Sequence, residues 1–247
     1  MKVALCLSGQ PRNAIQISER IKQTIINDND VDVFLHAWYD PDNLNFDKRC
    51  PGHWDRQAEL GINEKLLEVY KPKAFLFEKP KHWSNSNMKV SEENIQRCFD
   101  YGINDPKGVE HFGKYIVDIC HSQWYSNLRS NLLKEEYSID HNVHYDCVIK
   151  LRYDVSPTSK LDLVNGEFDE NTLYYQDLNQ PLNMISDWFA LGSNKVMNIW
   201  SSMYCYIEPL YHQVVSEENI WCNELLLRNH LRNNKVQTQA VDLGVQF

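Results

Sequence analysis

The sequence contains no Cys-x-x-Cys pair, no glycine-rich phosphate loop and no long apolar run. Its seven cysteines, at 6, 50, 98, 120, 147, 205 and 222, are odd in number, and several sit in apolar stretches such as VALCLSG. That distribution argues against a disulfide framework and for buried thiols in a reducing, cytoplasmic compartment. Without a Walker or dinucleotide fingerprint, neither a kinase nor a dehydrogenase is favoured. No stretch approaches the roughly 18 apolar residues that a membrane span needs. The opening MKVALCLSGQPR is too short, and too abruptly ended by Gly9-Gln10-Pro11-Arg12, to be a signal peptide. Positive charge is scarce as well. There are 25 Lys and Arg against 34 Asp and Glu, a formal net charge of −9, which argues against a nucleic-acid binder. A few placed arginines would still suffice for a small phosphorylated ligand.

What is present is ordinary globular composition, 43% hydrophobic over 247 residues, enough for an α/β domain with a sizeable core. KVALCLSG, VDVFLHAWY and KAFLFEKP read as buried strands. Between them, helices are expected over about 13–27 and in NEKLLEVYKP, the latter stopped before Pro72. Strand, helix, strand, helix, strand is the pattern of a parallel α/β sheet. The polar stretches 39–61 and 79–111 read as excursions, with one helix near 91–101. A long helix is expected over about 112–137, with Ile116, Ile119, Cys120, Trp124, Leu128 and Leu132 along one side. TLYYQ and DWFALG read as further strands, 194–204 and 217–231 as helices, and KVQTQAV as an edge strand.

DCVIKLRYDV, residues 146 to 155, raises the functional question. Cys147, Val148, Ile149 and Leu151 suit an interior strand, whereas Lys150, Arg152 and Asp154 share one face by the two-residue period. In open parallel sheets, ligands bind beyond the carboxyl ends of the strands. Ser8 to Arg12, His36 to Asp40, Arg152 to Asp154 and the residues around Asp187 are therefore expected at one rim. Gly9 permits a tight turn and close backbone approach, and Pro11 stiffens the chain after it. Arg12 then stands at a helix entrance that favours an anion. Asp154 is a hard oxygen ligand suited to Mg²⁺ or Mn²⁺, and Arg152 can meet phosphate oxygens or orient Asp154.

In this order, LSGQPR, FLHAWYD, the long helix, YDCVIKLRYDV and SDWFALGS resemble small bacterial and viral glycosyltransferases of the GT-A type. Those enzymes build surface polysaccharide or lipopolysaccharide. The resemblance implies one GT-A-like, Rossmann-like domain with a mostly parallel central sheet flanked by helices. Its nucleotide-binding half would span about 1–155, and its acceptor and catalytic half about 156–247. It implies transfer of a sugar from a nucleotide-diphosphate sugar to a glycan or other hydroxyl acceptor. Ser8, Gly9, Arg12, His36, Trp38, Arg152 and Asp154 would hold the donor, with His36, Trp38 and Tyr39 lining its pocket. In such enzymes an Asp-x-Asp motif binds the metal that grips the diphosphate. Here Arg152-Tyr153-Asp154 stands at that place, so Asp154 alone matches as ligand for Mn²⁺ or Mg²⁺, and Arg152 adds positive charge. The literal Asp40-Pro41-Asp42 reads as a turn.

A base is needed to take the acceptor's proton. Asp187 is the first candidate, with Trp188 placed to stack on a sugar, and Glu218 and Glu217 come next as openers of a helix capped by Ser216. His141 and His144 read as solvated loop histidines, and Tyr204, Tyr206 and Tyr211 as packing. NLRSNLLKEEY reads as a solvated helix face. Two other readings remain open: nucleotidyl transfer to a sugar phosphate, and a domain that binds nucleotide or glycan without turnover.

Overall fold

A computed structural model of the chain describes residues 1–44, 58–100, 106–161, 168–177, 181–242 and 245–246. Cys50 and part of the excursion at 39–61 lie outside them. The first half runs β1 (Lys2–Gly9), α1 (Ala14–Ile21), β2 (Asp30–Trp38), α2 (Ile62–Tyr70), β3 (Ala74–Glu78), α3 (Glu92–Asp100) and α4 (Pro106–His141). It continues with β4 (Cys147–Arg152), the short β5 (Ser156–Pro157), β6 (Thr172–Gln176), β7 (Phe189–Gly192) and α5 (Asn194–Ser202). The chain closes with α6 (Ile207–Glu218), α7 (Asn223–Asn233), β8 (Gln237–Val241) and the short β9 (Val245–Gln246).

Seven strands form one sheet in the order β3-β2-β1-β4-β7-β6-β8. The expected α/β class with a mostly parallel sheet is observed, and β8 is an edge strand as read. β7 alone runs against both its neighbours. That reversal matters for the site: it brings the start of β7, at Asp187 and Trp188, to the rim where β1, β2 and β4 end. The Arg152 amide donates to the Trp188 carbonyl at 3.2 Å, which fixes the two segments side by side.

β1 and β4 are buried on both faces, which explains their near-continuous apolar runs. Val3, Leu5, Leu7, Ile149 and Leu151 pack with Ile21, Ile25 and Leu66 of the α1–α2 layer. Ala4, Cys6, Phe34 and Val148 face the other layer, with Trp124 of α4 and Trp200 of α5. Each fully buried side chain of this size contributes roughly 1.5–3 kcal/mol. The two-residue period then puts Ser8, His36, Trp38, Lys150 and Arg152 all toward α4.

Three sequence expectations change. The helix read at 217–231 is two helices: Asn219 adopts a left-handed φ of 51° and ends α6, and α7 starts afresh at Asn223. Glu217 and Glu218 therefore close a helix, and Ser216 bonds back to the Gln213 carbonyl instead of capping one. NLRSNLLKEEY is not a solvated face, because Asn127, Ser130, Asn131 and Lys134 are all buried. Lys150 does not belong to the rim. It is sealed under α4 with its ammonium donating to Ser130 Oγ at 3.1 Å, and burial lowers its pKa to about 7.

Candidate active site

At the rim, the turn after β1 and the tip of β4 meet. Arg152 donates from Nε and Nη2 to the two oxygens of Asp154, at 2.9 and 2.6 Å. Arg12 Nη1 lies 3.5 Å from Asp154 Oδ2, and Arg12 Nε donates to Gln10 Oε1 at 2.7 Å. Two guanidinium groups thus flank one carboxylate. Burial raises the Asp154 pKa, but the pairing with Arg152 and then Arg12 outweighs it, and the group is held below its ordinary value.

The turn that carries Arg12 is fixed from α4. Gly9 takes a φ of +109°, a conformation that L side chains rarely adopt. Its amide donates to Ser126 Oγ at 2.8 Å, and Ser8 Oγ donates to Asn127 Oδ1 at 2.6 Å. Ser126 Oγ lies 2.6 Å from His36 Nδ1, and His36 Nε2 lies 3.0 Å from Glu78 Oε2. Burial first of all lowers the His36 pKa, against the pull of Glu78, and so favours the neutral ring. With Nε2–H directed to the carboxylate, Nδ1 accepts from the serine hydroxyl, which in turn accepts from Gly9. Glu78 is held at about 2, chiefly by the His36 bond and then by Lys81. His36 and Trp38 were expected to line the donor pocket, but both are fully buried. Trp38 stacks on Tyr125 at 5.5 Å and donates to the Ser122 carbonyl. His36 helps to hold the turn through Ser126, and Trp38 packs behind it.

Asp187 is buried near Arg152. Gln123 Nε2 of α4 donates to its Oδ2 at 2.6 Å, and Gln123 Oε1 accepts from Asn223 Nδ2 at 3.1 Å. Asp187 Oδ1 and Asn223 Oδ1 are buried acceptors with no hydrogen-bond partner among the described residues. Burial raises the Asp187 pKa despite the nearby Arg152. Glu224, in the first turn of α7, is raised too, by burial and then by the charge of Asp187. Gln123, Asn223 and Glu224 are the rim residues that sequence reasoning missed. Glu217 and Glu218 do not join them: Glu217 pairs with Arg232 and Glu218 with Arg228 along the α6–α7 flank. Trp188 packs instead against the core on the α1 side of the sheet.

The implied divalent cation does not fit Asp154. Both carboxylate oxygens already face guanidinium groups, so an ion there would have to displace Arg152 and sit against Arg12. Among the described residues, no three His, Cys, Asp or Glu side chains converge to form an alternative. Asp40-Pro41-Asp42 is a turn tied down by Lys79, which pairs with both aspartates.

Among the described residues, no helix is long and apolar enough to cross a membrane. Cys6, Cys120, Cys147 and Cys222 are buried and Cys205 is exposed, none of them in a disulfide. No protein-family model matches the chain, and no curated protein does so either. Among solved structures, the chain is similar at a distance to the glycosyltransferase GlyE of Streptococcus pneumoniae TIGR4. The apo form gives 12% identity and a TM-score of 0.41 over 96% of this chain and 44% of that one. A second GlyE structure gives 12% and 0.41 over 97% and 45%. A galactosyltransferase, LgtC, in complex with donor and acceptor sugar analogues, gives 10% and 0.41 over 96% and 73%. The chain thus spans less than half the length of GlyE. Likeness this distant assigns neither a family nor an activity.

Proposed function

We propose that the chain is a glycosyltransferase, moving a sugar from a nucleotide-diphosphate sugar to a hydroxyl of a glycan or other acceptor in surface-polysaccharide or glycoprotein-glycan synthesis. One observation carries the reading: Asp187 Oδ1 and Asn223 Oδ1 are two buried acceptors without donors among the described residues, at a rim that also holds Arg12 and Arg152. Asn63, Asn131 and Glu135 also carry buried acceptors of this kind, so what supports a ligand is the convergence of these two with Arg12 and Arg152. Together they call for a ligand rich in O–H donors that also carries negative charge, which describes a sugar attached to a diphosphate. The order of LSGQPR, FLHAWYD, YDCVIKLRYDV and SDWFALGS along the chain supports the same reading. In it, residues 1–155 form the nucleotide-binding half and 156–247 the acceptor half.

The side chains suggest the chemistry. Asp187 accepts the proton of the acceptor hydroxyl as that oxygen attacks the anomeric carbon. The bond from that carbon to the diphosphate oxygen breaks, and the nucleoside diphosphate leaves with the bonding electron pair. Arg12 and Arg152 meet the charge that develops on it, and Asp154 keeps Arg152 aimed. The raised pKa of Asp187 makes it a stronger base than an ordinary carboxylate. No step uses a metal, because the donor set at Asp154 does not fit one.

The test is a panel of UDP-, GDP-, ADP- and dTDP-sugars, incubated with EDTA or with Mn²⁺ while nucleoside diphosphate release is measured. One donor should be turned over in EDTA, and Asp187→Asn should slow it by about 10²–10⁴. Pyrophosphate released from a triphosphate would instead indicate nucleotidyl transfer. Tight nucleotide binding without any release would indicate a binding domain.

A further inference from the structure

A cleft of about 490 Å³ is lined by loop residues 82–86, by His121 of α4 and by residues from 204–209. His121 is two positions from Gln123, so the two side chains leave α4 on nearly opposite sides. The cleft is therefore separate from the Asp187 rim.

Its wall is aromatic and already assembled. The Trp83 indole lies over the His121 ring, with centroids 5.7 Å apart and 28° between planes, and Trp83 Nε1 donates to the Tyr204 hydroxyl at 3.2 Å. The loop is pinned at both ends. Asp118 accepts from the Trp83 amide at 2.8 Å and pairs with His82 Nδ1 at 2.9 Å. Glu208 accepts from the Asn87 amide at 3.0 Å. Tyr204, read from sequence as packing, is part of this wall.

The lining narrows the ligand. Among the described lining residues there is no lysine or arginine, and Ile207 and Pro209 are the aliphatic ones. A phosphate or nucleotide would want cations, and a lipid would want a continuous aliphatic wall. Rings bordered by serine, asparagine and tyrosine groups suit a neutral sugar, whose C–H faces pack on the rings while its hydroxyls bond at the edge. We propose that this cleft is a carbohydrate-binding site for a neutral oligosaccharide, separate from the rim and independent of the transfer reading.

Saturation-transfer NMR on the intact chain tests it, with lactose, cellobiose and N,N′-diacetylchitobiose as probes, each near the millimolar affinities expected of such small ligands. At least one should receive saturation. Trp83→Ala should reduce it about fivefold or more. Ser84→Trp, which fills the cleft without removing a packed ring, should do the same if Trp83→Ala fails to fold. Asp187→Asn should leave the signal intact. No saturation on any of the three sugars would overturn the proposal. So would a signal that survives Ser84→Trp, or one lost in Asp187→Asn, which would place the sugar at the rim.

Discussion

Arg152 grips both oxygens of Asp154, two residues further along the chain, and Arg12 closes on the same carboxylate from the turn after β1. Arg152 and Asp154 are largely sheltered from solvent, so removing either leaves the other's charge without its main partner. Asp154→Ala and Arg152→Ala should each destabilise the fold, and the double variant should lose less than the sum. A coupling of about 1–3 kcal/mol is expected. Urea denaturation of the four proteins measures it, and additivity would show that the pair is only a surface contact.

Arg12 lies outside that bidentate fork and should matter more for ligand than for fold. Arg12→Ala should weaken nucleoside diphosphate binding about tenfold or more, with little change in melting temperature. Calorimetric titration in EDTA checks this. If Mn²⁺ proves necessary for binding in the native chain, the two-arginine account fails even where the transfer activity stands.

The carboxylates make a prediction about pH. Burial raises Asp187 above its ordinary value, so a reaction that needs it ionised should gain rate as pH rises through that higher pKa. Glu224 is coupled to Asp187 through charge. Burial and then the charge of Asp187 hold Glu224 protonated up to about 7, so Glu224 is neutral while Asp187 ionises, and Glu224→Gln should leave the acid limb of the pH–rate profile in place. Asp187→Asn should abolish that limb, and a limb that persists in it would remove Asp187 from the role of base.

Lys150 supplies a stability prediction. Its pKa falls from 10.5 to about 7 on folding. Above the unfolded value both states are neutral and nothing is lost. As pH falls the unfolded chain takes the proton first, and the penalty is complete below about 7. Lys150→Met should therefore stabilise the protein by about 2–4 kcal/mol near neutral pH, with the gain shrinking toward the alkaline limit. Ser130 keeps its bond to the Asn127 carbonyl in that variant. Paired melting curves across pH test the difference, and a constant offset would mean the lysine is not titrating.

Much of the frame was legible because buried parallel strands announce themselves. KVALCLSG is apolar on both faces and CVIKLR on one, and their ends locate Arg12 and Arg152 without further information. The reversed direction of β7 was not legible, since a four-residue apolar strand reads alike either way. Asp187 was still found, because it precedes that strand. Gln123, Ser126 and Asn127 are not legible as rim residues, because polar positions on a helix ordinarily face solvent. The available signal is their recurrence at three- and four-residue spacing with Ser130 and Lys134, on the same face of the helix as Cys120 and Trp124. Glu224 needed the break at Asn219, and one asparagine in a helical pattern is a weak mark.

α4 sets the spacing of everything at the rim. Gln123 holds Asp187, and Ser126 and Asn127 hold the glycine turn, all within about one turn of one helix. Substitutions along that stretch would be absorbed one at a time. Adding or deleting a single residue between Gln123 and Ser126 is a different injury. It swings one group of contacts by roughly 100° relative to the other, so this segment should admit changes of letter and refuse changes of length.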